Sequence, residues 1–193
     1  MSHKVLFVCT GNTCRSPMAE ALFRHMANER GLDVEVKSAG VAAFDGQAIS
    51  AHAKNVLTQR GVDVQDFRST SLDEDLVNWA DLILTMTSQH KRMLLEAFPS
   101  AVDKTYALKE YADTDGETEK LHAERESLIA ELQIQMSLDQ PIGQELQTKL
   151  AALEQKLPRL DISDPIGGDL SLYEQTASEI EAALRVVLHR LAG

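Results

Sequence analysis

Val5-Leu6-Phe7-Val8-Cys9-Thr10-Gly11-Asn12-Thr13-Cys14-Arg15-Ser16-Pro17 is the stretch around which the rest of the chain is organised. The apolar run Val5 to Val8 has the length of one buried strand. A helix start follows: Ser16 can cap, Pro17 suits the first helical position and Glu20 favours the first turn. A turn from strand to helix, relaxed at Gly11, aims successive N–H groups into one concavity. Such a nest binds an anion, and the helix N-terminus adds positive potential.

Cys9 opens this loop and Arg15 closes it. Thiolate is the nucleophilic form of cysteine, and a ring of N–H groups, a helix N-terminus and a guanidinium all stabilise it. Arg15 offers a planar fork that grips two phosphate oxygens, a task for which Arg suits better than Lys. The N–H groups from Thr10 to Ser16 meet the equatorial oxygens of a phosphoryl group in transfer. The loop therefore reads as a site for covalent phosphoryl transfer to Cys9. Thr10, Gly11, Asn12, Thr13, Cys14 and Ser16 hold the group, and Ser16 can also donate to the Cys9 sulfur. The bland alternative is a buried structural Cys at a strand end. Against it stand the strand before, Gly11-Asn12 inside, and Arg15-Ser16-Pro17 at the helix start.

Cys9 to Ser16 resembles the phosphate loop of the low-molecular-weight protein tyrosine phosphatases. Met18-Ala19-Glu20-Ala21, Ser38-Ala39-Gly40 and Asp164-Pro165 match as well, and the resemblance covers residues 1–112 and 161–193. It implies that Asp164 is the general acid and that the loop around Phe44 lines the pocket mouth. It also implies that Ser38 braces the phosphate loop, beside the alternative of a turn serine bonded to its own backbone. Thr13 and Asp164-Pro165-Ile166-Gly167-Gly168 look most like the protein-arginine phosphatase branch. The tyrosine branch usually has Ile or Leu at the Thr13 position and aromatic residues after Asp-Pro, while the arginine branch often has Phe where this chain has Ile166. A reversible Cys9–Cys14 disulfide under oxidation, as in the family, stands beside a plain packing role for Cys14.

The length of 193 residues suits one domain with an embellishment. A net charge of −11 argues against broad nucleic-acid or anionic-membrane binding. No apolar run approaches a membrane span, and the first is too short for a signal peptide. Two cysteines without such a signal point to a reducing cytoplasm. The six histidines are scattered without zinc-ligand spacing, so neither metal nor cofactor is expected.

In chain order, residues 17–30 read as an amphipathic helix closed by Gly31, 33–38 as a strand, and Ser38-Ala39-Gly40 as a turn. A second helix spans 47–60, closed by Gly61, and a short helix runs through Trp79, a core residue. Asp81 to Met86 is an apolar strand, Thr87 or Ser88 caps a helix to Ala97, and Lys104 to Leu108 is a further strand. The last helix, about 170–192, places Tyr173, Ala177, Ile180, Leu184, Val187 and Leu191 on one face. Apolar strands separated by helices imply an α/β fold, a four-stranded parallel sheet with helices on both faces, whose ligands sit beyond the carboxyl ends of the strands.

Residues 113–160 stand apart, with ten acids against five bases, net −5, and many strong helix formers. Leu146, Leu150, Leu153, Leu157 and Leu160 follow a coiled-coil seam, and Leu121, Leu128, Leu132 and Met136 make a looser stripe. Asp139 to Gly143 breaks the run. The reading is one phosphatase domain over 1–193 carrying an antiparallel helical hairpin inserted at 113–160, beside the active-site rim. Three roles stay open for it: self-contained decoration, a docking surface selecting phosphorylated protein substrates, or a homodimerisation arm.

The expected reaction is metal-independent. Cys9 attacks phosphorus, Arg15 and the loop hold the oxygens, and Asp164 protonates the leaving group and then activates water. Asp161 reads as a solvated or structural acid. Phosphoarginine is the first substrate and phosphotyrosine the second, because the Thr13 hydroxyl and Asp164 can accept from guanidinium donors. An arsenate reductase of this fold would need a further pair of cysteines, and a phospho-protein binding module would lack the nucleophile or the acid.

Overall fold

Successive residues of the first strand point to opposite sides, and both sides are buried. In the computed structural model, which describes residues 2–64, 66–113, 116–138, 143–157 and 159–193, β1 (His3–Cys9) sends Val5 and Phe7 into one core and Leu6 and Val8 into another. A strand buried on both faces needs a continuous apolar run, which is what residues 5–8 supply. β2 (Val34–Gly40), β3 (Leu82–Thr85) and β4 (Thr105–Ala107) complete a wholly parallel sheet in the order β2-β1-β3-β4.

Helices cover both faces. The larger core receives α1 (Arg15–Glu29), α2 (Ala51–Gln59), α5 (Leu108–Ala112) and α8 (Leu170–Ala192). Phe7 and Phe23 meet there edge to face, with ring centroids 5.5 Å apart. The smaller core receives Val77 of α3 (Glu74–Trp79), Leu94 of α4 (Ser88–Ala97) and Ala101 of a 3-10 turn over Pro99–Lys104. Trp79 packs half-buried against it, with Lys37 Nζ 4.3 Å above its ring. The chain leaves β1 for β2 on one side and returns to β3 on the other. The strand order therefore switches direction between β1 and β3, where open α/β sheets place their ligands.

Three local readings change. The first helix begins at Arg15, and no side chain caps it, because the Ser16 hydroxyl turns inward toward Cys9. Ser38-Ala39-Gly40 belongs to β2, whose pairing with β1 extends to Cys9 opposite Gly40. The second helix begins at Ala51, capped by the Ser50 hydroxyl, because Gly46 and Gln47 are tied to Ser69 by backbone and side-chain hydrogen bonds.

The chain divides into two units, Met1–Ala112 with Leu160–Gly193, and Asp113–Arg159. The second contains α6 (Glu117–Ser137) and α7 (Gln144–Lys156). Arg125 pairs with Glu154 at 3.5 Å and Gln135 accepts from Gly143 N–H at 3.4 Å, so the two helices run antiparallel. Leu146 and Leu153 are buried in this unit, while Ile134, Met136 and Leu138 are exposed. Asp139 to Ile142, most of the break between the helices, lie outside the described residues. Among the described residues no helix is long and apolar enough to cross a membrane.

Gly40 is where the sheet presses against the loop. A Cβ there would lie 2.4 Å from the Thr10 carbonyl oxygen and 2.9 Å from the Asn12 nitrogen, both backbone atoms that cannot swing aside. Gly40→Ala should lower stability by ~1–3 kcal/mol and distort the loop, read as a shifted denaturation midpoint together with reduced phosphate binding.

Candidate active site

The loop after β1 has its carbonyls pinned outward. The Cys9 and Thr10 carbonyls accept from Val41 and Ala42 N–H at 2.9 and 3.0 Å, and the Thr13 carbonyl accepts from Ser50 N–H at 2.9 Å. A planar peptide with its oxygen turned out turns the neighbouring N–H inward. Among the described residues none accepts from the N–H groups of Thr10 through Ser16. At the helix start Met18 N–H is taken by the Cys14 carbonyl, and Pro17 has none to give. The result is a nest of donors at the N-terminus of α1, built to meet an anion.

Asn12, rather than Gly11, is the loop residue in the left-handed region, at φ 53. It is completely buried, and its amide is fully used. Nδ2 donates to Ser16 Oγ at 2.9 Å and to Ser38 Oγ at 2.8 Å, while Oδ1 accepts from Thr70 N–H at 2.8 Å. Ser38 donates onward to Glu20 at 2.6 Å, and Arg24 holds the other Glu20 oxygen. Ser38 thus reaches the loop through Asn12, and Glu20 joins from the first turns of α1.

Cys9 lies buried at the base of the loop, its sulfur 2.9 Å from Ser16 Oγ. The Ser16 hydroxyl has one proton and two acceptors, the sulfur and the Ala39 carbonyl at 3.3 Å. A thiolate is the closer and the charged partner, so it draws that proton when it forms. The Arg15 side chain is only 6% exposed, against 49% for Asp164, and its Nη2 donates to Asp164 Oδ2 at 3.0 Å. The other Asp164 oxygen accepts from Ile166 N–H at 3.2 Å. One guanidinium edge thus joins the loop to a carboxylate from the far end of the chain. Ile166 and Phe44 are both strongly exposed. Thr13 is half-buried, and its hydroxyl lies 3.7 Å from the Cys14 sulfur.

Some site neighbours carry no signal in the sequence. His90 is buried between two hydroxyls, with Nε2 2.7 Å from Thr10 Oγ1 and Nδ1 2.9 Å from Thr87 Oγ1. Burial, then the nearby Arg15 charge, push its pKa down to about 4. The buried Tyr173 hydroxyl lies 3.3 Å from the Cys14 sulfur. Burial and the Cys14 contact push the Tyr173 pKa up. Asp161 accepts from both the N–H and the hydroxyl of Ser88, at 2.7 and 3.0 Å, so it secures the start of α4.

A buried cysteine sulfur, loop N–H groups with no protein acceptor among the described residues, a buried guanidinium and a half-exposed carboxylate suit phosphoryl transfer. The chain as a whole is similar to known proteins. Residues 4–125 match the family of low molecular weight phosphotyrosine protein phosphatases. A protein-arginine-phosphatase of Geobacillus stearothermophilus is 50% identical over 192 residues, 99% of this chain and 97% of that protein. The solved YwlE arginine phosphatase of Geobacillus stearothermophilus superposes with a TM-score of 0.71 at 35% identity, covering 98% of this chain and 93% of that one. A solved YwlE arginine phosphatase mutant with a phosphorylated active-site serine has a TM-score of 0.73 at 33% identity, covering 98% of this chain and 95% of the other. The chain belongs to the low molecular weight phosphotyrosine protein phosphatase family.

Proposed function

We propose that the protein is a cytoplasmic protein-arginine phosphatase that hydrolyses phosphoarginine in phosphorylated proteins through a phosphocysteine intermediate. The observation that supports the chemistry is the Cys9 sulfur beside the Ser16 hydroxyl in a loop whose Cys9, Thr10 and Thr13 carbonyls are held by N–H groups outside it, which leaves the loop's own N–H groups for an anion. The substrate rests on the extensive identity to a protein-arginine-phosphatase and on a hydroxyl at Thr13.

In the first step the Cys9 thiolate attacks phosphorus. An S–P bond forms, the P–N bond of phosphoarginine breaks, and the Asp164 carboxyl proton passes to the departing guanidine nitrogen. Arg15 and the loop N–H groups hold the three phosphoryl oxygens, whose charge they match without a metal ion. In the second step Asp164, now a carboxylate, takes a proton from water. The water oxygen bonds phosphorus, the S–P bond breaks, and the Ser16 hydroxyl donates a hydrogen bond to the Cys9 thiolate that leaves. One carboxyl group serves both steps because the first leaves it in the form that the second needs.

His90 is a further titratable group at the loop, and it does not suit the acid role. Both its nitrogens are occupied by hydroxyls, and with a pKa of about 4 it is neutral at physiological pH. Its work is to fix the Thr10 hydroxyl.

Thr13 supports arginine over tyrosine on physical grounds. A guanidinium brings several donors, and an aliphatic residue at Thr13 would leave one unpaired at a cost of ~1–3 kcal/mol. Thr13→Ile should therefore move kcat/KM toward phosphotyrosine peptides by about tenfold relative to matched phosphoarginine peptides. An unchanged ratio in phosphate-release assays would remove Thr13 as the selector. A wild type that prefers phosphotyrosine would keep the Cys9 chemistry and overturn the substrate. Cys9→Ser should bind phosphoarginine peptide without turnover, whereas residual turnover would overturn the nucleophile. His90 gives a further prediction. Its folded pKa is depressed, so its contribution to stability is full above about 6.5 and is lost as pH falls toward about 4. Urea midpoints measured between those pH values should fall for the wild type and fall less for His90→Asn.

A further inference from the structure

Asp164 lies between an exposed loop and the stretch where the chain re-enters its core unit. After it comes Pro165-Ile166-Gly167-Gly168, with Ile166 exposed and Gly167 at φ 75. Before it, at Leu160, the chain has just returned from the separate unit Asp113–Arg159. The Arg15 contact is a single hydrogen bond from a guanidinium that also serves the phosphoryl oxygens. Something else must hold the carboxyl group within proton-transfer distance.

The residues just before Asp164 are fastened to the core at every position. Asp161 Oδ1 accepts from the Ser88 N–H at 2.7 Å, and the Asp161 carbonyl accepts from Lys109 Nζ at 3.1 Å. Ile162 is buried, and its N–H donates to the Met86 carbonyl at 2.8 Å, continuing the line of β3. Ser163 is held from both sides of its Cα by one carboxylate. Its hydroxyl donates to Glu179 Oε1 at 2.6 Å and its N–H to Glu179 Oε2 at 3.3 Å. Lys109 Nζ, at 2.9 Å from the same Oε2, completes the cluster.

We infer that Glu179, on the second turn of α8 beyond Tyr173, is a positioning residue for catalysis: with Lys109 it locks Ser163 and thereby aims the Asp164 carboxyl group at the leaving group. The inference rests on the reading of Asp164 as the general acid. Glu179 touches neither Asp164 nor the phosphate loop. It acts through the backbone of Ser163, which fixes where the next residue begins. Two hydrogen bonds to one residue, one from backbone and one from side chain, leave that residue little rotational freedom. Charge on Glu179 matters because three donors converge on it. Burial works to raise its pKa, and the Ser163 and Lys109 hydrogen bonds outweigh that and lower it.

An acid held out of line costs most where the leaving group most needs a proton. The test is therefore kcat/KM for p-nitrophenyl phosphate, whose phenolate leaves readily, against phenyl phosphate, whose phenolate does not. Glu179→Gln should lower phenyl phosphate turnover on the order of tenfold more than p-nitrophenyl phosphate turnover. Ser163→Ala should do the same more weakly, and adding it to Glu179→Gln should change little further. Glu181→Gln is the control: on the same helix as Glu179, Glu181 contacts Arg60 at the end of α2 and Arg185 of α8 and does not touch the acid segment. Its two kcat/KM values should keep the wild-type ratio. Asp164→Asn calibrates the assay and should show the leaving-group dependence more strongly, by about a hundredfold. Equal losses on both substrates in Glu179→Gln and in Ser163→Ala would overturn the inference, since a merely structural role does not discriminate leaving groups. No leaving-group dependence in Asp164→Asn would instead overturn the acid assignment, and the inference would fall with it. Ser163→Ala, a smaller change, carries the test should Glu179→Gln fail to fold.

Discussion

A ring of inward N–H groups is an unfavourable thing to build, and Asn12 is what holds it. Backbone donors repel one another and want acceptors, and a loop left to itself would turn some carbonyls back in. Asn12 prevents that from the centre. Its left-handed backbone costs ~1–2 kcal/mol for a residue with a Cβ. Three hydrogen bonds from a fully buried amide, each worth about 1 kcal/mol net, offset that strain. Glycine would adopt the same φ more cheaply but could not bind Ser16, Ser38 and Thr70. The amide links the nucleophile's partner, the second strand and the 67–72 segment in a single contact, so loop shape and surrounding structure rise or fall together.

The parallel sheet supplies the other half of that constraint. β1 ends at Cys9 beside Gly40 of β2 on one side, and Val8 pairs with Thr85 of β3 on the other. From the β2 side come the N–H groups of Val41 and Ala42 that turn the loop carbonyls outward. From the β3 side come Thr87 and His90, which fix the Thr10 hydroxyl, and Met86, which receives Ile162. The switch in strand order falls between β1 and β3, and Asp161 and Ile162 are bonded to Ser88 and Met86 just beyond β3. Cys9 and Asp164 are 155 positions apart in sequence. Arg15 joins them, because it closes the loop that Cys9 opens and donates to Asp164, two residues after Ile162 is bonded to Met86 just beyond β3.

What could be read in the sequence was local or periodic. The apolar run of β1, the α8 stripe from Tyr173 to Val187 and the cap at Thr87 each depend on neighbours a few residues away. The Cys9-to-Arg15 loop was legible for the same reason. Misreadings arose where a distant partner decides. Ser16 has the chemistry of a cap, but Cys9 and Asn12 draw its hydroxyl inward. Ser38-Ala39-Gly40 has the composition of a turn, but β1 pairing carries the strand through it. Gly11 looked like the flexible point, yet the side-chain bonds of Asn12 select Asn12 for the left-handed position. His90 and Glu179 could not be found at all, since a lone histidine and one acid among many gain meaning only from Thr10 and Ser163 far along the chain.

The same contacts hold the chain on both sides of the separate unit Asp113–Arg159. A long excursion adds only slowly to the entropy of closing a loop, but it removes any local guidance for the residues after it. Here the core grips both sides of the interruption. On the near side the Tyr111 carbonyl accepts from Arg190, whose guanidinium also lies 4.3 Å from the Tyr111 ring centroid. On the far side Lys109 reaches across to Asp161 and Glu179, and Ile162 continues the line of β3. Residues 109–111 and 161–163 are thereby held by the core itself, whatever lies between them.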